Sequence, residues 1–238
     1  MVLATFFDRA VMLDGVTHRF KVWVPAGYTA AKKYAAVLFL HGAGERGDDN
    51  EKQIAVGVGP ALRDGSIDID AIVVFPQCPD DGYWVGPERH IAIAALDAAQ
   101  REFSIDPNRI SLTGMSMGGS GTWILAAEHP RRFSAIAPVC AWVGKAPKFR
   151  KVIEPAPWLA KASDPYAEVA RRIGNIPVWV FHGALDDLVL PSESHEMMSR
   201  LGANAAYTEF PQANHNSWDP AYRTTGVMRW LVAQKRRK

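Results

Sequence analysis

Residues 114–118 read Gly-Met-Ser-Met-Gly and lie between an apolar run that predicts a strand and a stretch that predicts a helix. A sharp turn from strand to helix needs small residues on both sides, and it can hold a strained serine at its tip. The start of the following helix favours negative charge beside that serine. We therefore predict that Ser116 is a nucleophile. The alternative is a serine that only caps the helix on a glycine-rich turn.

A serine hydroxyl becomes a useful nucleophile when a base takes its proton, and the base needs a carboxylate to orient it. Two aspartates, Asp186 and Asp187, come just after the predicted strand 176–181. His215 stands in a loop after the next predicted strand, 205–210. The residue types, their order along the chain and their positions at strand ends all fit a serine, acid and histidine triad.

The other six histidines have weaker claims to a chemical role. We expect surface or helix-end positions for His18, His90, His129 and His195. We expect His41 to fix its loop and His182 to make a structural hydrogen bond. A metal site built from His182, Asp186 and His215 is an alternative, but these residues form no compact ligand motif. We therefore predict that His215 is the base and that no metal is bound.

A second stretch, LFLHGAGERGDDN at residues 38–50, contains at 42–47 a formal match to the dinucleotide-binding pattern G-x-G-x-x-G. That fingerprint should run straight into a helix whose N-terminus faces the phosphates. The carboxylates of Glu45, Asp48 and Asp49 would instead repel a pyrophosphate. A histidine-glycine loop after a strand can supply an oxyanion-hole amide, and this is the interpretation we favour. A dinucleotide oxidoreductase is the alternative that a nicotinamide titration would test.

The groups above need a sheet to position them, and the chain alternates short apolar runs with helical patterns. The predicted strands are 35–40, 71–76, 109–114, 133–139, 176–181 and 205–210; the predicted helices are 50–63, 88–103, 117–129, 192–202 and 219–234. Near-continuous apolar strands separated by helices predict a mostly parallel sheet covered on both faces. Asp14-Gly15 predicts an antiparallel hairpin over residues 3–24 at its N-terminal edge. The proline-broken segment 141–175 predicts a short excursion over the site.

The charge and cysteine content of the chain indicate which kinds of binding partner and which cellular compartment to expect. The formal net charge is +2, so no bulk basic field points to a nucleic acid or a membrane surface. Two cysteines, Cys78 and Cys140, are too few for a disulfide framework, and we expect buried thiols. No signal peptide and no apolar run of membrane-spanning length is visible, so we expect a cytoplasmic protein.

Five stretches of the sequence together resemble one known family. They are LHGAGERGDDN, FPQCPDDGYW, GMSMGGSGTW, FHGALDDLVLP and NHNSWDPAY, and they cover about residues 35 to 222. The chain resembles an α/β-hydrolase, of the compact esterase branch that includes dienelactone-hydrolase-like, feruloyl-esterase and polyester-depolymerase-type enzymes and predicted peptidases. The resemblance implies a single α/β-hydrolase domain over residues 1–238. It also implies Ser116 as nucleophile, Asp186 as the acid and His215 as base.

The same resemblance implies the oxyanion donors, which would be the backbone N–H groups of Met117 and Ala43, with Gly42 as the near alternative to Ala43. It implies a serine carboxylesterase that needs no cofactor and acts on a small-molecule ester through an acyl-enzyme. We expect Trp84, and then Trp142, to line the substrate pocket. Two other functions stay open. One is a serine peptidase of the prolyl-oligopeptidase type, and the other is a catalytically idle scaffold that binds a partner.

Overall fold

The computed structural model describes residues 3–143 and 156–236. Within them, one eight-stranded sheet contains β1 (Thr5–Leu13), β2 (Val16–Val24), β3 (Tyr34–Leu40), β4 (Ala71–Pro76), β5 (Ile105–Met115), β6 (Ile136–Val139), β7 (Val178–Gly183) and β8 (Ala205–Phe210). The strand order is β1-β2-β4-β3-β5-β6-β7-β8. Strands β3 to β8 run parallel, whereas β1 and β2 are antiparallel. The predicted α/β-hydrolase sheet is confirmed.

The antiparallel edge of the sheet is the predicted hairpin. Asp14 and Gly15 join β1 to β2 with φ values of 50° and 79°. A two-residue hairpin turn needs positive φ at both positions to match the twist of its strands, and Asp and Gly tolerate it well. Strand β2 then pairs with β4 through Phe20 to Trp23, which attaches the hairpin to the parallel part of the sheet.

Helices cover both faces of the sheet. They are α1 (Val58–Arg63), α2 (Arg89–Glu102), α3 (Met117–Glu128), α4 (Pro157–Ala160), α5 (Pro165–Ile173), α6 (Ser192–Arg200), α7 (Trp218–Thr224) and α8 (Val227–Ala233). Across residues 3–143 and 156–236, each helix is too short or too polar to cross a lipid bilayer.

Side chains alternate across β3 into two separate cores. Leu38 and Leu40 belong to a cluster shared with α2, α3, α5 and α6, which we call the α3-side core. Val37 and Phe39 belong to a cluster shared with α1, α7 and α8, the α8-side core. All seven residues of β3 are buried, because a central parallel strand has a helical layer on each side.

Two predicted helices are shorter or divided in the structure. The pattern at 50–63 gives a 3-10 turn at Lys52–Ile54, and the α-helix begins only at Val58, because Gly57 has a φ of 73°. The pattern at 219–234 gives α7 and α8, which Gly226 separates with a φ of 75°. In both places the apolar spacing is helical, but a left-handed glycine interrupts the backbone.

The predicted excursion at 141–175 is described only in part. Residues 144–155 lie outside the described residues. The later part contains α4 and α5, and α5 is a regular helix that buries Val169 and Ile173 in the α3-side core. Asp164 caps α5 by accepting a hydrogen bond from the Ala167 N–H at 3.0 Å. The described part of this stretch therefore packs beside α3 and α6.

The two cysteines are buried free thiols, as predicted. Cys78 lies in the α3-side core and Cys140 in the α8-side core. Burial raises the pKa of both thiols well above the usual range, because a thiolate there would be poorly solvated.

Candidate active site

Ser116 lies on the turn between β5 and α3, at the carboxyl edge of the sheet. Its backbone has φ 53° and ψ −117°, a conformation that strains a residue with a Cβ. Its side chain makes no capping hydrogen bond to α3, so the alternative of a simple helix cap does not hold. The Ser116 N–H donates to the carbonyl of Val139 at 2.9 Å, which fixes the turn against β6.

The glycines around Ser116 allow α3 to start against the end of β3. A Cβ on Gly118 would lie 2.0 Å from the carbonyl oxygen of Leu40 and 2.7 Å from that of His41. A Cβ on Gly114 would lie 2.4 Å from the carbonyl oxygen of Gly118. Glycine is therefore required at both positions, and it places the first turn of α3 beside the loop that follows β3.

The structure brings the three predicted triad residues together. The Nε2 atom of His215 is 2.9 Å from the Oγ atom of Ser116. The Nδ1 atom of the same ring is 2.7 Å from Oδ2 of Asp186. Asp186 follows β7 and His215 follows β8, so the carboxyl ends of three parallel strands supply one hydrogen-bonded chain. This geometry allows a proton to move from the hydroxyl to the imidazole while the carboxylate orients the ring.

The Asp186 carboxylate is buried and held by several donors. Its Oδ1 atom accepts hydrogen bonds from the N–H groups of Leu188 and Val189, both at 3.0 Å. Burial alone would raise the pKa of Asp186, but hydrogen bonds from His182, His215 and the loop outweigh it and hold that pKa well below its usual range. Asp187 is exposed, although it is adjacent in sequence.

The loop after β3 is fixed by His41, which is fully buried. Its Nε2 atom accepts a hydrogen bond from the Cys78 N–H at 3.0 Å, so Nδ1 carries the proton and donates to the Gly42 carbonyl at 2.6 Å. The indole N–H of Trp84 donates to the His41 carbonyl at 3.0 Å. Burial lowers the pKa of His41 to about 4. The predicted loop-fixing role agrees with these contacts.

Ala43 follows in a short 3-10 turn, Ala43–Glu45. The Nε atom of Arg46 donates to the Ala43 carbonyl at 2.9 Å, and the guanidinium lies over the Tyr83 ring at 4.8 Å. Burial raises the pKa of Glu45, and backbone N–H groups of the same loop oppose part of that rise. A Cβ on Gly42 would lie 3.0 Å from Oε2 of Glu45, so this carboxylate is next to Gly42.

The two tryptophans predicted to line the pocket are core residues. Trp84 has no exposed surface, and a Cβ on Gly121 would lie 2.4 Å from its Cβ atom. Trp142 is 2% exposed and its backbone N–H donates to the Ser120 hydroxyl at 3.0 Å. The expectation of open aromatic walls therefore does not hold. Both indoles are buried in the α3-side core, and Trp84 also lies directly beside Gly121 of α3.

A different tryptophan lies next to the triad. The Trp218 ring is 5.6 Å from the His215 ring, centroid to centroid, and nearly perpendicular to it at 89°. Trp218 is half-buried at the first position of α7. Its position three residues after His215, in the stretch NHNSW, is the signal that could have identified it.

Neither metal nor dinucleotide binding has support in this geometry. Ligand atoms of Cys140, Asp186 and His215 lie within 4.8 Å of one another, but an ion there would replace the hydrogen bonds that Asp186 and His215 already make. The glycine pattern at 42–47 leads into a 3-10 turn, and α1 begins only at Val58. No α-helix N-terminus follows that loop directly.

Comparison with known proteins identifies the family. A sequence model described as "prolyl oligopeptidase family" matches residues 92–234. The chain belongs to the prolyl oligopeptidase family. Among solved structures, a thermostable esterase has a TM-score of 0.77 and 28% identity, over 97% of this chain and 63% of its own. The feruloyl esterase module from Clostridium thermocellum shares the fold, with a TM-score of 0.73 and 15% identity over 99% of this chain and 90% of its own.

Two further relatives resemble parts of this family member. Poly(3-hydroxyalkanoate) depolymerase C of Paucimonas lemoignei is 28% identical over 118 residues, which cover 44% of this chain and 28% of that protein. A putative carboxymethylenebutenolidase of Escherichia coli O157:H7 is 31% identical over 114 residues, which cover 46% of this chain and 37% of that protein. The chain thus spans about a third of the length of these relatives. The predicted α/β-hydrolase resemblance is confirmed.

Proposed function

We propose that this protein is a serine carboxylesterase that hydrolyses short-chain or aryl carboxylic esters through an acyl-enzyme. One observation carries the proposal: Ser116, His215 and Asp186 form a continuous hydrogen-bonded chain with separations of 2.9 and 2.7 Å. A serine, an imidazole and a buried carboxylate linked in this order match the parts that acyl transfer to a serine requires.

In the proposed reaction, the Ser116 Oγ attacks the carbonyl carbon of the ester while Nε2 of His215 takes the hydroxyl proton. The resulting imidazolium is stabilised and oriented by Asp186, and it returns the proton to the leaving alcohol. The acyl-enzyme is then hydrolysed by a water molecule that His215 activates in the same way. The products are a carboxylic acid and an alcohol, and the serine is restored.

The developing oxyanion needs hydrogen-bond donors, for which we propose the N–H groups of Met117 and Ala43. Met117 is the first residue of α3, where N–H groups have no partner within the helix. Ala43 is favoured over Gly42 because the Glu45 carboxylate lies next to Gly42. One such donor typically contributes about 3–4 kcal/mol to transition-state stabilisation.

The ester class rests on the neighbourhood of the triad and on the relatives. Leu185 and Leu188, which flank Asp186, are 62% and 49% exposed. Together with the half-buried Trp218 they present apolar surface beside the charged groups, which favours an apolar acyl or alcohol group. The thermostable esterase, the feruloyl esterase module and the depolymerase support ester substrates over amides.

A peptidase is the second candidate, because the family is named for prolyl oligopeptidase. A dipeptidyl-peptidase 5 of Porphyromonas endodontalis is also 23% identical over 223 residues, covering 82% of this chain and 32% of that protein. The two functions use the same triad, so a substrate panel distinguishes them. We expect p-nitrophenyl acetate, p-nitrophenyl butyrate and methyl ferulate to be hydrolysed faster than proline-containing p-nitroanilide peptides. The opposite ranking would favour the peptidase.

Replacing Ser116 with alanine tests the proposal directly. We expect Ser116→Ala to lose ester turnover and fluorophosphonate labelling while its melting temperature stays close to that of the unmodified protein. The hydroxyl makes little contribution to either core, so the fold should persist. Unlabelled unmodified protein would favour the idle binding scaffold, and normal turnover in pure Ser116→Ala would refute the proposed nucleophile.

A further inference from the structure

A second histidine contacts the predicted triad acid. His182 is the last residue but one of β7, and its side chain has no exposed surface. Its Nδ1 atom lies 2.7 Å from the Ser194 hydroxyl. Its Nε2 atom lies 2.9 Å from the Val189 carbonyl oxygen and 3.3 Å from Oδ2 of Asp186. Both ring nitrogens therefore have polar partners, as a buried imidazole requires.

The partners of His182 define where its proton lies. A carbonyl oxygen only accepts hydrogen bonds, so Nε2 must carry a proton to bond with Val189. That N–H bonds to the Val189 carbonyl, and the same Nε2 atom also lies 3.3 Å from Oδ2 of Asp186. One oxygen of Asp186, Oδ2, thus has two imidazole nitrogens close to it, Nε2 of His182 at 3.3 Å and Nδ1 of His215 at 2.7 Å.

The two oxygens of Asp186 are held differently. Backbone N–H groups of Leu188 and Val189 hold Oδ1, and they belong to the same short loop as Asp186 itself. Among the described residues, the side chains that hold Oδ2 are His215 and His182. His215 must change its proton partners during turnover, so His182 is the donor on Oδ2 that can stay constant. His182 also bonds to the Val189 carbonyl, so it contacts the loop at Asp186 and at Val189.

We propose that His182 is a positioning residue, whose Nε2–H group keeps the Asp186 carboxylate in the orientation that His215 needs. This inference rests on the proposed function. A competing explanation is that His182 only fastens β7 to α6 through Ser194. The positioning role depends on Nε2, which lies beside Asp186, whereas the fastening role depends on Nδ1, which contacts Ser194. Variants that keep only one of these nitrogens therefore distinguish the two explanations.

The amide side chains of glutamine and asparagine each place a nitrogen atom near the position of one histidine ring nitrogen. The amide nitrogen of glutamine extends about as far as Nε2, and that of asparagine about as far as Nδ1. His182→Gln thus keeps a donor toward Asp186, whereas His182→Asn keeps a polar partner for Ser194. We expect His182→Asn to lower kcat for p-nitrophenyl acetate and the fluorophosphonate labelling rate by about 10- to 100-fold, because small misplacement of a catalytic group has effects of this size. The KM value should change by less than about twofold.

His182→Gln should restore most of this loss, and Ser194→Ala should keep kcat while its melting temperature falls. Equal activity of His182→Gln and His182→Asn would overturn the proposal, as would a loss of kcat in Ser194→Ala as large as in His182→Asn. Melting curves of each variant verify that it is folded. A failure of the proposed function would be seen in a different variant, because esterase activity would then survive in Ser116→Ala.

Discussion

Asp186 and Asp187 are adjacent residues with different surroundings. The Asp186 side chain is buried against His215, and Asp187 is exposed. We expect Asp186→Asn to lose on the order of 10⁴ in turnover, because the imidazole would lose its orienting carboxylate. Asp187→Asn is the matched control, with the same chemical change, and should stay within a few-fold of the unmodified protein. Ester turnover of both variants is the measurement; a reversed result would exclude Asp186 as the acid.

His41 links the pH of the solution to the stability of the loop after β3. Its pKa is about 4 in the folded protein, against an ordinary value of 6.5, because burial disfavours the charged ring. The unfolded chain therefore binds more protons than the folded protein between these values. Stability from the neutral ring is fully present above pH 6.5 and is lost as the pH falls toward 4.

We expect this single group to account for about 3 kcal/mol of the free energy of unfolding lost between pH 7 and pH 4. In His41→Gln, which has no titrating group, the decrease over that range should be smaller by a similar amount. Urea unfolding at pH 7, 5.5 and 4 measures it. His90→Gln, at an exposed position, is the matched control for the loss of an imidazole. The same slope in both variants would contradict the assignment to His41.

Residue types and order were enough to predict that Ser116, His215 and one of the adjacent aspartates would meet, and the family resemblance selected Asp186. Each of them follows a parallel strand, and such strands end at one edge of the sheet. The tryptophans could not be predicted in this way, because an indole beside a catalytic loop can face the loop or the core. Trp84 and Trp142 are buried in the α3-side core, whereas Trp218 lies beside His215 at the start of α7.

At the scale of the elements, the start of α3 leaves no room for a larger residue at Gly118. We expect Gly118→Ala to lower the free energy of unfolding by at least about 3 kcal/mol, because its Cβ would overlap the Leu40 carbonyl at 2.0 Å. Gly202→Ala is the matched control, since its nearest neighbour would be the Asn204 side chain at 3.4 Å, an ordinary contact. It should change stability by no more than about 0.5 kcal/mol. Chemical denaturation of both variants tests this, and equal destabilisation would refute the steric argument.

The strands were easier to predict than the helices around them. Apolar runs such as 71–76 and 205–210 coincide with β4 and β8. The helical patterns at 50–63 and 219–234 were interrupted by Gly57 and by Gly226, whose positive φ values depend on the turns around them. Apolar periodicity reports which face is buried, but it does not report where a left-handed residue divides the backbone.

At the scale of the whole molecule, the buried side chain of Lys21, on β2, joins the β1–β2 hairpin to the segment between β3 and α1. The ammonium group of Lys21 lies 2.7 Å from the carboxylates of both Asp8, on β1, and Glu51, in the segment between β3 and α1. The Asn50 side chain also donates to Asp8, at 3.0 Å. The lysine side chain is 7% exposed, but both carboxylates are mostly exposed, so solvent screens the attraction in part.

We expect Lys21→Ala to lower the free energy of unfolding by about 2 kcal/mol, since two hydrogen bonds between charged groups are lost. Arg171→Ala removes an exposed ion pair with Glu168 within α5 and should cost less than about 1 kcal/mol. Urea unfolding at pH 7 compares the two variants. Equal, small losses would show that the hairpin is attached by its strand pairing alone.

The two buried cysteines can report local unfolding of the protein, because each becomes reactive only when the core around it opens. Only the thiolate reacts with alkylating reagents, and burial keeps both thiols protonated and covered. Cys78 and Cys140 lie in different cores, on opposite faces of the sheet. Brief exposure to iodoacetamide during heating, followed by mass analysis of the two cysteine-containing peptides, therefore records which helical layer separates from the sheet first, with no label added to the chain.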